Sequence, residues 1–162
     1  MTVRLEPRGS DAGPHGDELA QAGGLSVASQ VGLPETQSGF APINLPSSTS
    51  ENFSFRRIGS VQLRGPLEGH RLSVFWMAGY AGGLFVPFRD ATSGESTYGA
   101  GRYLLDTIKS ADHGGDRREG TVVLDFNMAY HPSCAYDPRW SCPLAPPENR
   151  LAVPVEVGER LP

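Results

Sequence analysis

From Phe53 onward this chain never sustains a helical period, and that constrains its fold more than any other feature. Short runs rich in Val, Ile, Leu, Phe, Tyr and Trp follow one another, separated by Gly- and Pro-bearing segments. Such runs suit pleated, buried surfaces, while Gly and Pro supply the turn conformations between them. The candidate strands are Phe55 to Leu63, His70 to Met77, Leu84 to Phe88, Thr97 to Leu105, Thr121 to Asn127 and Leu151 to Val157. In the second of these, Leu72, Val74 and Trp76 share one face, as a period of two requires. Pro87 predicts an edge or a bulge, because proline cannot donate to a ladder. Thr121 to Asn127 is nearly continuous in apolar residues, which predicts a central or doubly covered strand. The expected architecture is all-β, a single antiparallel barrel or sandwich of about six to eight strands.

The first fifty-two residues read differently. Of 7 Phe, 5 Tyr and 2 Trp, only Phe40 precedes Phe53. Gly, Pro, Ser and acidic residues dominate that segment, and it lacks a face that would offset its chain entropy. Residues 1–52 are therefore expected to be a disordered acidic tail, and residues 53–162 one β-rich domain. Arg4 and Arg8 set against Glu6, Asp11, Asp17, Glu18, Glu35 and Glu51 leave −4, the whole formal net charge of the chain. The body is then neutral. Nucleic acid is excluded as the main partner, because phosphate binding needs clustered basic residues. No apolar run approaches the ~20 residues of a membrane span. The start, MTVRLEPRGSD, lacks the apolar region of a secretory signal, so a cytoplasmic protein is expected.

The densest concentration of chemistry is LDFNMAYHPSCAYDPRWSCPLAPPENRL, Leu124 to Leu151. A loop so rich in Pro, with polar groups between aromatics, is held in one shape for a reason. Cys134 and Cys142 admit three readings: packed thiols, a disulfide, or metal ligands joined by His131. A stable disulfide is disfavoured without secretion, and a structural zinc site needs four ligands. Asp125 and Asn127 alternate with Leu124 and Phe126 and share a face. Arg102, between Gly101 and Tyr103, is expected to pair with Asp125 across strands. Asn149, after Pro146-Pro147, is expected to bond local backbone.

Three functions follow from these residues. The first is a domain binding a small molecule, an anion being one option, in a pocket under the Cys-bearing loop, lined by Arg89, Arg102, Asp125, Asn127, Tyr130 and Tyr136. The second is a hydrolase using Cys134 or Glu148, for which a nucleophile must lie within reach of a base. The third is a protein-interaction module. No cofactor motif is present: Gly99-Ala-Gly101 lacks the third glycine and the βαβ unit of a dinucleotide site. The sequence does not specify an oligomeric state.

Ordered motifs add a resemblance. Phe88 to Leu104 reads F-R-D-x-T-S-G-x-x-T-Y-G-x-G-R-Y-L, and Leu124 to Tyr130 reads L-D-F-N-x-A-Y. P-x-C-A-Y, C-P-L-x-P-P-E-N-R-L and the closing VPVEVGE follow. Over roughly residues 55–161 the chain resembles the domain-of-unknown-function family 1684, a bacterial and archaeal group. The resemblance implies a β-rich fold and assigns no activity.

Overall fold

A computed structural model of the chain describes residues 2–3, 30–31, 41–63, 65–77, 82–111, 113–116 and 121–162. The strands are β1 Thr2–Val3, β2 Gln30–Val31, β3 Pro42–Leu45, β4 Phe53–Gln62, β5 Arg71–Met77, β6 Gly83–Phe88, β7 Arg102–Asp106, β8 Gly115–Asp116 and β9 Thr121–Val123. All their pairings are antiparallel. A six-stranded sheet runs β2-β4-β5-β6-β7, with β3 also on β4, and a three-stranded sheet runs β1-β9-β8. The fold is mostly β, as expected, and among the described residues the larger sheet does not close on itself. The other regular elements are short 3-10 turns, so no helix of the described residues is long and apolar enough to cross a membrane.

β5 and β6 arise where the apolar runs placed them, because both sheet faces are covered; β7 takes up only the second half of the run Thr97 to Leu105, since Thr97 to Gly101 lies in a turn outside the sheet. Leu45, Phe55, Phe75, Phe85 and Tyr103 form one buried cluster. Val61, Leu72, Val74, Val86, Phe88 and Leu104 form the larger one, completed by Leu124, Phe126, Leu151 and Val155 from the C-terminal segment. Pro87 lies in an interior strand, and the β6–β7 register shifts between Val86 and Pro87. The bulge absorbs the missing donor there.

Three expectations need correction. The expected tail extends too far: Pro42–Leu45 is a strand paired with β4, and Leu45 is buried. Alternation of Ile43 and Leu45 docks this short segment on Phe53 and Phe55, a local signal that the polar composition around it hides. Thr2–Val3 and Gln30–Val31 also pair, and residues 1, 4–29 and 32–40 of the expected tail lie outside the described residues. Thr121 to Asn127 does not continue as one strand. It breaks after Val123, and the Asp125 side chain accepts from the Asn127 N–H to cap the 3-10 turn Phe126–Met128. Leu151 to Val157 is not a strand: Leu151 and Val153 bond the backbone of Arg89 and Ala91, but beyond them side chains satisfy the backbone groups of Val155 and Val157.

Candidate functional site

Residues Phe88-Arg89-Asp90 leave β6 with alternating side chains, so Asp90 enters the interior while Arg89 faces the other way. The Asp90 carboxylate accepts from Thr92 Oγ1 at 2.8 Å, Ser93 Oγ at 3.2 Å and the Val155 N–H at 2.7 Å. Thr92 in turn meets Thr97 Oγ1 at 2.9 Å. Arg102, with side-chain exposure of 0%, pairs with Asp90 at 3.4 Å. Its guanidinium also donates to the carbonyls of Val155 at 2.7 Å, Val157 at 2.6 Å and Glu159 at 3.3 Å. Burial lowers the Arg102 pKa, and the Asp90 charge opposes that shift. Gly101 makes the approach possible: at φ +101° its missing Cβ would lie 2.3 Å from the Phe88 carbonyl oxygen.

The expected Arg102–Asp125 pair is therefore absent. Asp125 bonds its own turn, with Asn127 N and Nδ2 donating to Oδ1 at 2.9 and 2.7 Å. Asn127 is exposed and remote from the Arg102 network in its bonding. Residue type and alternation suited Asp125, but Asp90 wins because the bulge and Gly101 bring its segment directly over Arg102. Arg102 clamps the C-terminal segment onto the sheet: both terminal nitrogens have acceptors, while its Nε, like that of Arg89, is buried without one. Its ion pair and carbonyl contacts are those of a structural cation.

Arg89 behaves in the opposite way. Its backbone forms a parallel bridge with Arg150, through Arg89 N–H to Asn149 O at 2.9 Å and Leu151 N–H to Arg89 O at 2.8 Å. Bridge partners project to the same side of a sheet, so the two arginine stems emerge together. Arg89 is half-buried, and Arg150 is exposed. Arg89 Nε is buried without a hydrogen-bond partner. Among the described residues neither guanidinium has a hydrogen-bonding or ion-pairing acceptor. Asn149 anchors the strap that carries Arg150. It is fully buried, accepts from Ser73 N at 2.6 Å, and donates to the carbonyls of Ser73 at 3.0 Å and Pro87 at 2.7 Å. Asn149 bonds distant backbone on β5 and β6, rather than local backbone as expected.

The Cys-bearing loop assembles a second cluster. His131, buried, accepts the Tyr98 backbone N–H on Nε2 at 3.2 Å, which leaves Nδ1 as the protonated nitrogen, 3.7 Å from Glu159 Oε2. Burial holds the imidazole below its usual pKa, opposed by Glu159. The Glu159 carboxylate accepts from the His131 N–H at 2.6 Å and from the Tyr136 hydroxyl. Burial pushes Glu159 up, but these hydrogen bonds and nearby charges outweigh it, so its pKa lies below the usual value. Tyr136 is largely exposed, and partial burial with the Glu159 contact pushes its phenol up to about 12. Tyr130, half-buried, faces Asp106 at 3.4 Å, stacks edge-on against Tyr103 and packs against the smaller core cluster.

Cys134 and Cys142 are free, buried thiols. The Cys134 N–H points at Cys142 Sγ at 3.4 Å, and the Tyr98 hydroxyl at Cys134 Sγ at 3.8 Å. Among the described residues no group of three or more His, Cys, Asp or Glu is placed to hold a metal ion, so His131, Cys134 and Cys142 do not form the ligand set weighed above. Both ring nitrogens of His131 face Tyr98 and Glu159 instead of a thiol. Glu148 is exposed on the 3-10 turn Pro147–Asn149. Sequence reasoning missed Asp90, Tyr98, Arg150 and Glu159, although each lies inside a quoted motif. Asp90 next to Arg89 in F-R-D was the readable signal.

A family model described as "Protein of unknown function (DUF1684)" matches residues 31–160, a span that begins before Phe53 and includes β3. The solution NMR structure of an uncharacterised protein of Haloarcula marismortui is similar at 33% identity, covering 84% of this chain and 70% of that one, with a TM-score of 0.60. No curated protein matches the sequence.

Proposed function

We propose that this chain, which belongs to the DUF1684 family, binds a small anionic molecule through Arg89 and Arg150. The observation that carries this reading is the Arg89 guanidinium: half-buried, with Nε out of reach of water and without an acceptor. A buried donor left unpaired costs about 1–3 kcal/mol, and a second arginine beside it adds like-charge repulsion. An oxyanion between the forks removes both costs, because carboxylate and phosphate groups match guanidinium donors bidentately. The Asn149 anchor fixes the backbone that presents Arg150, so the pair is pre-organised.

Binding is favoured over hydrolysis because His131 is turned toward Tyr98 and Glu159, leaving Cys134 without an imidazole partner among the described residues. The free cysteines accord with a cytoplasmic location. The test is isothermal titration at low ionic strength with phosphate, sulfate, acetate and a mononucleotide. One anion class binds at a single site, and Arg89→Ala weakens it by about tenfold or more, with a similar loss for Arg150→Ala. Absence of binding by every anion, or binding untouched by Arg89→Ala in a folded variant, overturns the reading.

A further inference from the structure

We infer that Cys134 and Cys142 are a modification site: a dithiol that low-molecular-weight disulfides close into one intramolecular bridge. Cys134 sits in the 3-10 turn Ser133–Ala135, and its own backbone N–H meets the other sulfur at 3.4 Å. Cys142 is held in place from the opposite side. Its N–H donates to Ser48 Oγ at 2.9 Å, and its carbonyl accepts the Ser48 N–H at 3.0 Å. The Cys134 backbone and the Cys142 sulfur therefore lie against each other across a turn of the chain. Its exposed tip carries Tyr136 and Trp140, at 65% and 60% exposure. A disulfide needs the two Cα atoms within about 7 Å, and contact of one residue's backbone nitrogen with the other's sulfur is consistent with that span.

The chemistry assigns different parts to the two thiols. Cys134 Sγ accepts from the Tyr98 hydroxyl at 3.8 Å, whereas Cys142 is tied through its backbone to Ser48. Cys134 attacks first. Its sulfur bonds to one sulfur of the reagent RS–SR, and one RS⁻ leaves. The Cys142 thiolate, which the Cys134 N–H is aimed to stabilise, then attacks the Cys134 sulfur and expels the second RS⁻. The two thiols give up two electrons to the reagent disulfide, and their protons go to the two RS⁻ groups. Burial pushes the Cys142 thiol up, so the second step quickens as pH rises. The bridge would fix the Tyr136–Trp140 turn and alter the sulfur beside Tyr98, whose neighbour His131 belongs to the Glu159 cluster.

The experiment treats the reduced full-length chain with excess oxidised glutathione across a pH series. Thiols are counted under denaturing conditions, and the products are mapped by non-reducing peptide mass spectrometry. The expected result is loss of both thiols in one product, a Cys134–Cys142 linked peptide, with no retained glutathione. Cys142→Ser should instead trap a glutathione adduct on Cys134. Separate adducts on both cysteines of the unaltered chain, bridges between chains, or two thiols that stay free throughout the series would each overturn the inference. The measurement on the unaltered chain decides it even where the variant does not fold. It is independent of anion binding, since Arg89 and Arg150 take no part.

Discussion

Arg102→Ala is the perturbation whose cost the structure sets most directly. The change removes a fully buried guanidinium that pairs with Asp90 and donates to the carbonyls of Val155, Val157 and Glu159. Breaking a buried pair on one side costs about 3–5 kcal/mol. The stranded Asp90 carboxylate keeps its bonds from Thr92, Ser93 and Val155, which places the ion-pair part at the lower end. The orphaned carbonyls add about 1 kcal/mol each where water does not reach them. A loss of about 5 kcal/mol is expected, a large fraction of the stability of a domain this size. Arg102→Lys should recover only part of it, because one ammonium cannot span acceptors that the planar fork reaches together. Asp125→Ala is the control: it removes only a cap on the 3-10 turn, at about 1 kcal/mol. Urea denaturation of the three variants checks the scheme. A loss below about 2 kcal/mol for Arg102→Ala, or an Asp125→Ala cost that vanishes in the Arg102→Ala background, would refute the argument.

Further consequences concern the elements around that clamp. Gly101→Ala should cost several kcal/mol, on the order of 3, because a Cβ there would lie 2.3 Å from the Phe88 carbonyl oxygen at a φ of +101°; thermal unfolding measures it. Asn149→Ala should cost about 3 kcal/mol by stranding the Ser73 N–H and the carbonyls of Ser73 and Pro87, read by urea denaturation; it should also weaken anion binding at Arg150. His131 has its folded pKa held below the unfolded value, so the unfolded chain takes up the proton first. Stability should therefore fall as pH drops through about 6.5 toward the folded value, and His131→Gln should flatten that slope in denaturation measured across pH 5 to 8.

The legible part of the sequence was what depends on local period and turn chemistry. Leu72 to Met77 and Leu84 to Phe88 form strands because their side chains cover both sheet faces, and Pro87 becomes a bulge because an interior strand cannot lack a donor. The illegible part was where a segment's backbone groups find partners far along the chain. Leu151 to Val157 has the composition of a strand, yet Arg102 and Asp90 supply partners that a ladder would have supplied. Pro42–Leu45 is too short to stand out from the polar residues around it, and only the apolar residues of β4 make it a strand.

The same distinction sorts the charged residues of the motifs. Asp90 and Arg102 are spent on each other and on backbone, so changing either should report on folding before it reports on a ligand. Arg89 stands one residue from Asp90 with the same charge as Arg102 and none of its partners. A half-buried cation kept without an acceptor lowers stability unless something outside the chain supplies the anion. Arg89→Met should then leave the bare protein as stable or more stable, by up to about 1 kcal/mol, while abolishing the stabilisation that a bound anion provides. Thermal unfolding with and without phosphate, at matched ionic strength, separates the two effects. If Arg89→Met destabilises the bare protein by more than about 2 kcal/mol, the guanidinium has a structural role, and the anion site loses its basis.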